Sequence, residues 1–146
     1  MIDQSEIRRL IPHAGSMCLL DQVMMWNDES IVCTSNTHRD PTNPLRRGER
    51  LNALHAFEYG AQAAAVHGGL CARQAGTNAP PGYLAALRDA KLHVPRLDDI
   101  DSPLEVRARR LFGDRANCVY ECRISAGDAL VAEGRVTIVL RQMTKL

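Results

Sequence analysis

The segment LNALHAFEYGAQAAAVHGGLCARQ, from Leu51 to Gln74, constrains this chain more than any other feature. Alanine dominates it and no proline interrupts it, so it reads as one long helix with Asn52 placed to cap its start. Its small residues, among them Ala53, Ala56, Gly60, Ala61, Ala64 and Gly68, lie all round the cylinder rather than along one stripe. Other backbone can approach such a helix closely from several sides, which makes it central. A single acidic residue, Glu58, sits inside this run, with His55 one turn before it and Gln62 one turn after it.

What surrounds the helix reads mostly as strand. "IDQSEIRRLI" is a short amphipathic helix stopped by Pro12. "MCLLDQVMMWND" and "SIVCTSNTH" read as two strands joined by a turn at Asn27–Glu29, and "RDPTNPLRRGER" as a loop. After the helix, "GTNAPPG" breaks the chain, and four runs follow: "YLAALRDAKLHV", "LEVRARRLFG", "NCVYECRISA" and "ALVAEGRVTIVL". In the second of these, Leu104, Val106 and Ala108 alternate with Glu105, Arg107 and Arg109, the pattern of a half-buried antiparallel strand. The expectation is a single α+β domain over residues 1–146. A long central helix is wrapped by a curled antiparallel sheet of about six strands, the hot-dog arrangement.

Composition excludes several classes. The formal net charge of +1 shows no bias toward nucleic acid or an anionic membrane. No apolar run is long enough to span a bilayer, and "MIDQSEIRRLIPHAG" lacks the apolar stretch of a signal peptide, so a cytoplasmic location is the default expectation. The five cysteines are odd in number and form no CxxC, which favours free core thiols over disulfides or zinc. His55, Glu58 and Gln62 share a helix face, but no second such set exists to complete a metal site, and none is expected.

Three stretches carry a resemblance. "LIPHAGSMCLLDQV" resembles the entry to the first strand of β-hydroxyacyl-acyl-carrier-protein dehydratases, and "FEYGAQAAA" resembles their central-helix motif. "GYLAALRDAKLHVPRLDDIDSPLEVRARRL" is similar to their third and fourth strands, and "AFEYGAQAAAVHG" looks closest to the branch associated with aryl-polyene biosynthesis. The resemblance implies a hot-dog homodimer, or a larger assembly, acting on acyl thioesters carried by a phosphopantetheine arm on an acyl-carrier protein or coenzyme A, with no other cofactor. It implies a helix carboxylate that protonates the leaving hydroxyl across the dimer interface, a position that Glu58 matches. It also implies a histidine base in a His-Phe-Pro-Gly loop. Here that loop reads "NPLRRGERLN", so the base falls to His13 or His55.

The residues themselves support such chemistry. Eliminating water from a 3-hydroxyacyl thioester needs a base, an acid and donors for the enolate-like oxygen. Desolvation by Phe57, Tyr59 and the alanines would raise Glu58 toward a useful acid. His55 is spaced for a hydrogen bond to Glu58, and Gln62 to hold its carboxyl. His13 lies in a tight Pro–Gly-flanked turn, and His67 reads as a satisfied core histidine. Helix-start N–H groups around Asn52, Ala53 and Leu54 are candidates to meet the thioester oxygen. Arg46, Arg47 and Arg50 form a loop that could face a carrier protein or the arm's phosphate. The expected function is a 3-hydroxyacyl-carrier-protein dehydratase. The alternatives are a hot-dog thioesterase, in which Glu58 activates water, and a non-catalytic subunit of a dehydratase complex.

Overall fold

The computed structural model describes residues 1–114 and 116–141, with the backbone alone described at His13 and Ser16. Helix α1, Gln4–Leu10, starts where Asp3 accepts a hydrogen bond from the Glu6 N–H. It buries Ile7, and Ile11 just beyond it, as the spacing of its apolar residues requires. A 3₁₀ segment, Pro12–Met17, follows. It is kinked at Gly15, whose φ of 54° lies in the left-handed region that glycine tolerates.

Strands β1 (Gln22–Trp26) and β2 (Ser30–Ser35) form the first hairpin. β1 is shorter than the sequence suggests. Leu19 and Leu20 precede it as buried irregular chain, with the Leu19 N–H held by Gln62 and its carbonyl by Ser35 of β2. The central helix α2, Ala56–Gln74, is preceded by a 3₁₀ turn at Ala53–His55, which Asn52 caps by accepting from the Leu54 N–H. Strands β3 (Gly82–Leu92), β4 (Leu104–Gly113), β5 (Asn117–Ala126) and β6 (Ala129–Leu140) complete one antiparallel sheet in the order β1-β2-β4-β5-β6-β3.

The sheet does not close, but wraps α2, which packs across β2, β4, β5 and β6. This is the hot-dog fold. Alternation puts Leu104, Val106 and Ala108 of β4, and Tyr120, Cys122 and Ile124 of β5, against the helix. The approach is close: a Cβ on Gly60 would stand 2.8 Å from the Cys122 Sγ.

The two borders of the sheet differ. At β1 the N-terminal chain adds a bridge, with Ile2 and Val23 exchanging N–H···O bonds of 3.0 and 2.8 Å. Among the described residues β3 pairs only with β6 and leaves its other side open, with Tyr83 57% and Leu92 43% exposed. No helix among the described residues is long and apolar enough to cross a membrane.

Candidate active site

Residue 58 follows from helix geometry. Phe57 and Tyr59, its chain neighbours, turn into the core and are buried, so they do not desolvate Glu58 as the sequence suggested. Phe57 packs at Gly134 of β6, and the Tyr59 hydroxyl reaches Thr37 at 2.7 Å. Glu58, half-buried, instead lines a mainly apolar cavity of about 260 Å³. Ile11, Ala14 and Met17 wall it on one side, and Tyr83 and Leu84 of β3 on the other. Glu58 is the only charged side chain on this wall among the described residues, and none of them forms a hydrogen bond or ion pair with it.

The sequence-derived partners separate. His55 faces a different groove, of about 630 Å³, shared with Arg46, Arg47, Arg50, Asn52 and Leu54, and makes no hydrogen bond to Glu58. His55 belongs to the 3₁₀ turn, whose tighter winding rotates it away from the face that an unbroken α-helix would give it. The His13 side chain lies outside the described residues. Its backbone sits in the Pro12–Met17 segment, between Ile11 and Ala14 on the cavity wall.

Gln62 does not hold the Glu58 carboxyl. Its Nε2 donates to the Met17 carbonyl, and its Oε1 accepts the Leu19 N–H at 2.8 Å. With both ends of the amide engaged by backbone, Gln62 fastens the His13-bearing segment to α2. The tie continues inward: Thr37 donates to the Leu19 carbonyl at 2.7 Å, so the Tyr59 hydroxyl donates to Thr37 and accepts from Asn43 at 3.1 Å. Burial pushes the Tyr59 phenol up, which keeps it a donor.

The helix-start donors are also occupied. The Ala53 N–H donates to the Pro95 carbonyl at 3.2 Å, and the Leu54 N–H to the Asn52 side chain at 2.9 Å. Asp98 clamps the same entry by accepting the Leu51 N–H at 2.7 Å. Its hydrogen bonds from Arg96 hold its carboxyl down at about 2. Ala53 and Leu54 therefore give their N–H groups to partners within the chain, and Asn52 caps the start of the helix as an acceptor.

His67, by contrast, behaves as a core histidine. Its Nε2 lies 2.8 Å from the Asn27 carbonyl, which can only accept, so Nε2 carries the proton and Nδ1 accepts from the Tyr120 hydroxyl at 2.6 Å. Sequence reasoning missed Met17, Tyr83 and Leu84. For Tyr83 and Leu84 the available signal was the apolar start of "GYLAALRDAKL", Tyr83 to Leu87, which does not alternate with polar residues.

Residues 5–145 match the ApeP-like family, described as ApeP dehydratase. The chain belongs to the ApeP-like dehydratase family. Among solved structures it is similar to the dehydratase heterocomplex ApeI:P from Xenorhabdus doucetiae, with 25% identity and a TM-score of 0.84 over 93% of this chain and 91% of that one. It shares the fold of a mutant thioesterase from Pseudomonas aeruginosa, at 12% identity and a TM-score of 0.62, covering 94% and 93% of the two chains. The E. coli PaaI protein, from the phenylacetic acid degradation operon, matches at 13% and 0.61 over 97% and 93%. No match is found among curated proteins.

Proposed function

We propose that this ApeP-like chain supplies the acid of a dehydratase that converts 3-hydroxyacyl thioesters on an acyl-carrier protein or coenzyme A into 2-enoyl thioesters. One observation carries the reading: a single carboxylate, Glu58, stands unpartnered among the described residues on the wall of an apolar cavity. An imidazole base takes the proton at C2, and the electron pair passes toward the thioester oxygen. The C3–O bond then breaks as Glu58 gives its proton to the departing hydroxyl, releasing water. Solvent returns the proton from the imidazolium to the carboxylate. His13 is the candidate base within this chain, because its backbone borders the cavity and His55 faces elsewhere.

The cavity wall formed by Tyr83 and Leu84 belongs to the open border of the sheet. A second hot-dog chain pairing along β3 would close the cavity, and that chain is either a copy of this one or a related subunit. The likeness to a chain of a dehydratase heterocomplex favours the related subunit as the second reading.

The test is incubation with a 3-hydroxyacyl-carrier protein, followed by mass for the loss of one water. Glu58→Gln is expected to slow this by about 10²–10⁴-fold, the usual contribution of one general acid. Unchanged activity in that variant removes Glu58 from the chemistry. Release of free acid identifies a thioesterase instead, and activity that requires an added hot-dog chain identifies a subunit.

A further inference from the structure

The outward face of the sheet, turned away from α2, carries its charges unevenly. Two cross-strand rows run over β4, β5, β6 and β3. One reads Arg107, Arg123, Glu133, Lys91, and the next reads Arg109, Glu121, Arg135, Arg88. Each row sets three cations against one carboxylate, while the whole chain carries a net charge of only +1. Both carboxylates are already engaged: Glu121 lies 3.3 Å from Arg109, and Glu133 lies 3.1 Å from His93. Arg107 has a partner as well, Glu105 of its own strand, at 2.6 Å. Arg88, Lys91, Arg123 and Arg135 are exposed and form no ion pair among the described residues.

This arrangement costs the fold rather than helping it. Arg107 stands directly opposite Arg123, and Arg135 directly opposite Arg88, and like charges in such positions oppose strand pairing. The same face holds a depression of about 210 Å³ between β2, β4 and β5, with Arg107, Arg109, Arg123 and Val32 in its walls. Opposite Val32 in the register, Met25 of β1 is 65% exposed, so an apolar side chain adjoins the arginines.

We propose that this outer face, centred on the depression, is a docking surface for a different protein that presents carboxylates beside an apolar side chain. The guanidinium forks of Arg107 and Arg123 take the carboxylates, and Met25, whose thioether adapts to irregular contacts, takes the apolar group. A second copy of this chain does not fit, because it would bring the same surplus of cations against itself. A phosphate backbone does not fit either, since Glu121 and Glu133 interrupt the positive rows it would follow. The inference is independent of Glu58, whose cavity lies on the helix side of the sheet.

The experiment uses the full chain and, as probe, a fluorescein-labelled peptide of repeated Glu-Glu-Leu, with binding followed by anisotropy. Arg107→Gln together with Arg123→Gln removes two charges that repel each other, so the variant folds, and circular dichroism confirms it. Arg8→Gln together with Arg39→Gln removes the same charge from exposed positions elsewhere. The wild type is expected to bind the peptide, less tightly as salt is raised, and the first double variant to lose about tenfold or more in affinity. Met25→Ser is expected to lose about threefold, and the Arg8 and Arg39 control to keep the wild-type affinity. A wild type that does not bind, an equal loss in both double variants, or an unchanged affinity in Met25→Ser overturns the proposal. So does tighter binding of oligothymidylate, or of vesicles containing phosphatidylglycerol, through the same arginines, which would assign the face to a nucleic acid or a membrane.

Discussion

Glu58 takes its surroundings from Met17, Tyr83 and Leu84, which lie far from it along the chain. The two buried histidines give a measurable signature at this scale. Burial pulls both His38 and His67 below the ordinary imidazole value of 6.5, opposed by their contacts with the Ile100 and Asn27 carbonyls. Below pH 6.5 the unfolded chain therefore takes up protons that the folded chain still refuses. Their contribution to stability is complete above that pH and is lost as the pH falls through the lowered folded-state values. Thermal unfolding followed from about pH 7.5 to about pH 5 is expected to show Tm falling in the wild type and falling less in His67→Gln. Parallel curves would mean that His67 takes up a proton as readily in the folded chain as in the unfolded one.

At the scale of elements, the strand count, the hairpin and the long helix were all readable, because 2- and 3.6-residue periodicities are local properties. Three features were not. The 3₁₀ turn at Ala53–His55 depends on Pro95 and Asp98 gripping the helix start from another part of the chain, and it is this turn that parts His55 from Glu58. The role of Gln62 depends on where Met17 and Leu19 come to lie. The identity of the tight glycines depends on which strand crosses the helix. That last point gives a paired prediction. Gly60→Ala drives a methyl group against Cys122 and is expected to cost about 1–3 kcal/mol. Gly68→Ala meets nothing and is expected to gain up to about 1 kcal/mol. Chemical denaturation measures both, and equal changes of the same sign would contradict the packing described at these two sites.

At the scale of the molecule, hydrophobic patterning was enough to specify a helix wrapped by a sheet, but not which strand lies at the border, since neighbouring strands are chosen by long-range pairing. β3 occupies the open border, exposes Tyr83 and Leu92, and also forms one wall of the Glu58 cavity. Charges placed on a strand edge oppose pairing. If a second chain pairs along β3 as proposed, the wild type is expected to sediment as a dimer and the double variant Tyr83→Lys, Leu92→Lys as a monomer, and a dimer that survives both changes would move the interface away from β3. The hydrogen-bonded clasp between Ile2 and Val23 has a consequence of its own. It occupies the outward N–H and C=O of Val23, so a strand adding beside β1 would first have to displace the N-terminal chain there. A newcomer is thus steered toward the β3 border, where no such displacement is needed.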